Sequence, residues 1–120
     1  MRPEERDAAY IWDMLDAAKG VLELVKGMTC EEYLSSRRTQ LAVEREVEII
    51  GEAARKVSRR FKAAHGEIPW KKIIAQRHVL AHEYGDIRQD RMWALAAVHI
   101  PQLIAQLTPL VPPLPPDTVR

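Results

Sequence analysis

The chain has 120 residues, 47% hydrophobic and 29% charged, with 18 Lys and Arg against 17 Asp and Glu. That length fits one compact domain and leaves no room for a second catalytic one. The formal charge of +1 excludes a general nucleic-acid coat, so any nucleic-acid site must be a local patch.

A single cysteine, Cys30, excludes an internal disulfide and fits a reducing compartment. No apolar run is long enough to cross a bilayer. Glu4 and Glu5 stand where a signal peptide needs a basic and then apolar start. A cytoplasmic protein with no membrane partner is expected.

The first predicted helix runs from about Glu4 to Lys26. Its stripe of Ile11, Met14, Leu15, Ala18, Val21, Leu22 and Val25 follows the helical period, and Gly27 ends it. Thr29 and Glu32 read as a capping box that opens a short helical turn through Tyr33 and Leu34. Ser35 or Ser36 can cap the next helix. This second long helix is predicted over roughly Arg37 to Ala63. Val43, Val47, Ile50, Ala54, Val57 and Phe61 recur along it at steps of four and three, the clearest periodicity in the chain. His65 and Gly66 stop it.

Pro69 fits the first turn of a third helix, with Trp70, Ile73, Ile74, Leu80 and Ala81 on its apolar side. Gly85 breaks that helix. Asp86 or Asp90 can cap a fourth along Trp93, Ala97, Ile100, Ile104 and Leu107, with Pro101 inside it as an expected kink. From Thr108 onward five prolines fall in thirteen residues, which predicts an extended tail. No segment alternates as a strand would. The expected fold is all-α: an antiparallel bundle of four main helices plus a short helical turn over residues 1–108, followed by a Pro-rich tail at 109–120.

Chemistry concentrates in one stretch, Arg77-His78-Val79-Leu80-Ala81-His82-Glu83-Tyr84. An arginine holds a phosphate through a planar fork of charged donors. An imidazole moves protons near neutral pH. A phenol offers a hydroxyl that can be modified. Arg77 shares a flank with Ile74 and Ala81, so it must reach water or find an anion. Glu44, Glu48 and Glu52 form a like-charged column at i, i+4 and i+8 that calls for cations, from Arg45 and Lys56 locally or from Arg77 across the bundle. An internal Arg–Glu salt bridge therefore stands beside a phosphate site as a reading of Arg77.

His82 lies about 140° around a straight helix from Arg77. The two converge only if the helix ends there, a ligand spans both, or a second subunit completes the site. The bland reading of His82 is a helix-end cap favoured by the dipole. His78 and His82 are spaced to chelate a metal, but no third ligand presents itself, and no metal or other cofactor is expected. Tyr84 reads as an aromatic plug with its hydroxyl at the rim. Trp12, Trp70 and Trp93 read as core or interface. Arg55, Lys56, Arg59, Arg60 and Lys62, with Lys71 and Lys72, form a basic run: either a solvated helix end or an RNA-backbone patch.

Arg77-x4-His82-x-Tyr84 resembles the Arg-x4-His-x-Tyr signature of HepT-like proteins, a branch of the HEPN superfamily. The similarity extends to Glu48-Ile49-Ile50-Gly51-Glu52-Ala53-Ala54, to Ile68-Pro69-Trp70 with Ile73-Ile74, and to Trp93 with Ile100-Pro101 and Leu103. It covers about Asp7 to Leu107. The signature usually carries a small polar residue, often asparagine, directly after the arginine; this chain has His78.

The resemblance implies a helical bundle that pairs as a homodimer, and a metal-independent endoribonuclease that is the toxin of a type VII-like toxin–antitoxin pair. The implied partner is a nucleotidyltransferase antitoxin of the MNT type, which would attach AMP to Tyr84. In that reading Arg77, His82 and His78 are catalytic, with Glu48 and Glu52 in support. The alternative is a non-catalytic subunit of a two-component nucleotidyltransferase, binding a nucleotide or a partner.

Overall fold

The computed structural model describes residues 3–82 and 87–111, with side chains from residue 5. Its elements are α1 (Pro3–Val25), α2 (Cys30–Leu34), α3 (Arg37–Lys56), α4 (Arg59–Ala64), α5 (Trp70–His82), α6 (Gln89–Ala94) and α7 (Ile100–Leu107). A π-helical stretch, Leu95–His99, joins α6 to α7, and a 3-10 turn at Thr108–Leu110 follows. The described residues contain no strand, so the fold is all-α as the periodicity requires.

Helix α1 buries Ile11, Met14, Leu15, Ala18, Val21 and Val25; Leu22 of the expected stripe is exposed. Gly27 closes the helix with φ +76°, a conformation other residues adopt only with strain. The capping box forms: Glu32 N–H donates to Thr29 Oγ1 at 3.1 Å, and Thr29 N–H to Glu32 Oε1 at 2.8 Å. Ser36 caps α3 by accepting from Thr39 N–H.

The second long helix is not continuous to Ala63. It stops at Lys56, and Val57 and Ser58 are extended. The cause lies on another helix. Asp7 of α1 accepts from Ser58 N–H at 2.9 Å and from Ser58 Oγ at 2.7 Å. Ser58 Oγ in turn accepts from Phe61 N–H and caps α4. A serine offered a buried carboxylate leaves the helix and starts a new one. Phe61, expected on the α3 stripe, therefore belongs to α4 and is only partly buried.

Contacts of Asp7 with Ser58 and of Gly20 with Glu46 show that α1 and α3 run antiparallel. Helix α5 lies against α3, and α7 against α1. Pro69 precedes α5 and its carbonyl accepts from Ile73 N–H. Asp90 does not cap α6. Arg88 stands at the cap without a side-chain capping bond, and Asp90 sits in the first turn paired to Arg88 at 3.0 Å; Asp86 lies outside the described residues.

Pro101 is accommodated by the π-helical stretch before it, where Ile100 N–H reaches back to Leu95 carbonyl. A proline ring crowds the carbonyl four residues back, and the wider turn relieves it. That turn also shifts the buried face to Met92, Ala96, Ile100, Leu103 and Leu107. Trp93 and Ile104 stand at its edge and Ala97 outside it. The tail does not begin extended: Thr108–Leu110 turns, and Leu110 and Val111 pack against the core. Residues 112–120 lie outside the described residues.

Candidate active site on the motif helix

Helix α5 approaches α3 at Gly51. A β-carbon there would overlap the Arg77 Cβ and meet the Ile73 carbonyl at 3.1 Å. Glycine is what lets α5 lie this close, and the closeness fixes where Arg77 emerges. Its side chain is 29% exposed, and its Nη2 meets Glu52 Oε2 at 3.1 Å. The Arg77 Nε is buried and has no hydrogen-bond partner among the described residues.

Glu52 is shared among cations. Arg55 Nη2 reaches its Oε1 at 2.8 Å, and Lys56 Nζ stands 3.9 Å from the same oxygen. The Arg55 hydrogen bond above all, then the charges of Arg55, Arg77 and Lys56, hold the Glu52 carboxyl below the usual range. The rest of the glutamate column is satisfied separately. Glu48 pairs with Arg45 at 3.1 Å; Glu44 pairs with Arg37 at 3.4 Å and accepts from Gln89 Nε2 at 2.7 Å. Arg77 thus takes Glu52 rather than Glu48 as its anion.

Arg77, Glu48, Glu52 and Lys56 line a pocket of about 190 Å³ with Tyr10, Asp13, Arg45, Ile49 and Ala53. His78 and His82 do not line it. They are exposed, with ring centroids 4.8 Å apart. Because α5 runs unbroken through His82, the described chain keeps the imidazoles on a different side of the helix from Arg77. Among the described residues no group of three His, Cys, Asp or Glu is placed to hold a metal ion. Tyr84 lies outside the described residues.

A larger groove of about 770 Å³ lies on the other side of α5, lined by Ile73, Gln76, Val79, Leu95 and Leu103. Arg77, His78 and His82 do not line it.

The basic run is partly assembled by folding. Lys62 Nζ donates to the Arg55 carbonyl at 3.4 Å and stands 6.0 Å from the centre of the Trp70 ring. Burial lowers the Lys62 pKa most; Asp7 opposes, and Arg55 and Arg59 add to the lowering. Lys56 Nζ stands 5.9 Å from the centre of the Tyr10 ring. Tyr10 was not marked by sequence reasoning. The only available signal was an aromatic residue off the apolar stripe of α1.

The family model described as "Ribonuclease HepT-like" matches residues 14–110. A protein of Thermococcus cleftensis named "Probable ribonuclease HepT" is 34% identical over 94 residues, 78% of this chain and 86% of that protein. A protein of Caldanaerobacter subterraneus subsp. tengcongensis, provisionally named as an RNase, is 32% identical over 82% of this chain and 88% of its own length. Another with such a name, from Methanocaldococcus jannaschii, is 30% identical over 79% and 87%. No solved structure matches the chain. No described helix is long and apolar enough to cross a membrane.

Proposed function

This chain belongs to the HepT-like family, and from that premise we propose that it is an endoribonuclease that cleaves RNA without a metal. The observation that carries the reading is the end of α5, where two adjacent exposed imidazoles follow an arginine that is fixed by Gly51 and Glu52. Arg77 binds the scissile phosphate and stabilises the charge that grows in the transition state. His82 acts as base and takes the proton of the ribose 2′-hydroxyl. The 2′-oxygen bonds to phosphorus as the bond to the 5′-oxygen breaks. His78 is the complementary acid and protonates that leaving oxygen. The products are a 2′,3′-cyclic phosphate and a free 5′-hydroxyl.

Arg77 and His82 face apart in one chain, so the working site takes Arg77 from one subunit of a homodimer and His82 from the other. The protein is the toxin of a toxin–antitoxin pair in the cytoplasm. Its antitoxin is a nucleotidyltransferase that attaches AMP to Tyr84. That adds bulk and negative charge two residues from His82 and repels RNA.

RNA cleavage by the purified chain, with intact mass recorded and His82→Ala beside it, tests the assignment. We expect cleavage at unmodified mass that persists in EDTA and is absent in the variant. Undiminished activity in His82→Ala overturns it. One observation favours a second reading, a non-catalytic binding subunit of a two-part nucleotidyltransferase: Arg77 already has an anion in Glu52. A folded, unmodified dimer that cleaves no RNA would select that reading.

A further inference from the structure

We propose that the carboxyl end of α3, with Tyr10 of α1 and the start of α4, is a track for single-stranded RNA. One nucleobase lies in the Tyr10 pocket, and the backbone continues over Lys56, Arg55 and Arg59. The proposal deepens the ribonuclease reading and takes from it the position of the cleaved phosphate at Arg77. The rest comes from what the fold brings together.

Arg77, Arg55 and Lys56 converge on the single carboxylate of Glu52, so positive charge exceeds negative at that point. The excess continues away from the motif. Lys62 reaches the Arg55 carbonyl, and both Arg55 and Arg59 lie close enough to repel its charge. Asp7 also faces Lys62, but its oxygens are committed to Ser58. Arg55, Lys56 and Arg59 are exposed, and the chain as a whole carries only +1. The cations are therefore concentrated rather than spread, which is how a near-neutral protein makes a backbone-binding surface.

The pocket beside them has a different character. Tyr10 presents a partly buried ring in a space it shares with Arg77 and Lys56. Glu48 and Asp13 also line it. Glu48 is paired to Arg45, and a carboxylate so held can still accept from the amino edge of a base. An aromatic face beside Lys56 and the exposed Arg55 and Arg59 suits a stacked base with its phosphates over those cations, and stacking is indifferent to sequence. An acidic protein segment would use the cations but would leave the ring and the acid-lined pocket unexplained. Charge complementarity together with the ring therefore favours an RNA strand.

Fluorescence anisotropy with a labelled adenosine 12-mer, titrated with the His82→Ala chain at several salt concentrations, tests the proposal. That variant leaves the RNA intact, so binding is read without turnover. Arg59→Gln is expected to weaken binding at least threefold and to flatten the salt slope by about 0.7, the value of one single-strand phosphate contact. Tyr10→Leu is expected to weaken binding about fivefold or more with the salt slope unchanged, and Tyr10→Phe, which keeps the ring, to restore it. The Arg59→Gln penalty should shrink as the strand is shortened toward a dinucleotide.

Unchanged affinity and slope in both variants overturns the track. So does loss of an acidic protein partner, rather than of RNA, in Arg59→Gln. A parent chain that binds along this track but cleaves nothing would overturn the ribonuclease reading and leave the track standing. Cleavage by a chain whose variants bind like their parent would do the reverse.

Discussion

Arg77 shows how much a single position depends on its neighbours. Its sequence context marks a cation on an apolar flank, and the glutamate column marks where an anion could be found. The choice of Glu52 over Glu48 needed the third helix placed against the second, because the two carboxylates differ by one helical turn, about 5.4 Å. Gly51 makes that placement, and it can be tested. Alanine in a helix interior gains about 1 kcal/mol over glycine, whereas overpacking costs about 1–3 kcal/mol. The atoms in the way are the Arg77 β-carbon and the Ile73 carbonyl, neither of which can swing aside. Gly51→Ala should therefore lower stability in urea denaturation, and an increase would refute the close approach. Glu52 gives a pH-dependent prediction. Its folded pKa is depressed, so its stabilisation is present above the unfolded value and is lost as pH falls through the folded one. Glu52→Gln should lower the urea midpoint at pH 7, and the gap to the parent should close below the usual glutamate range. A gap that persists into strong acid would mean that the pairing with Arg77 and Arg55 is not its source.

At the scale of elements, local signals were legible where the partner lies a few residues away. The Thr29–Glu32 capping box and the Gly27 stop are of that kind, because each closes within one turn. Two features were not legible. Ser58 breaks α3 because Asp7, 51 residues earlier, takes its N–H and its hydroxyl. The wide turn ahead of Pro101 was expected only as a kink, and the register shift it imposes on the buried face was not expected. Asp7→Ala should cost about 1–3 kcal/mol, the penalty for orphaning partly buried donors on Ser58, read as a lower melting temperature by circular dichroism. Asp7 lies far in sequence from the motif helix, so a stability unchanged in this variant would mean that Ser58 breaks the helix without help.

At the scale of the whole molecule, the proposed chemistry asks an arginine and a histidine on different sides of α5 to act on one phosphate. Pairing two chains would bring them together, and mixing inactive chains tests that. Arg77→Ala and His82→Ala should each be dead alone. Equal mixing, if the dimer exchanges, puts half the dimers in the mixed form with one intact site of two, about a quarter of full activity. A mixture in which exchange is verified by native mass and which remains inactive would place both residues of each site in one chain. The same experiment reports the dimer itself, which the resemblance implies.

The sequence by itself determined the helical class, most of the buried stripe of α1 and α3, the Thr29 and Ser36 caps and the Gly27 stop. These follow from periodicity and from bonds that close within a turn, and both are written in neighbouring residues. Tertiary structure alone decided that Arg77 meets Glu52, that Asp7 ends α3, and that Tyr10 joins Arg77 and Lys56 around one pocket. Each of these depends on the distance and register between helices. Those are set by how well the buried faces of α1, α3 and α5 fit one another, and no local spacing encodes that fit.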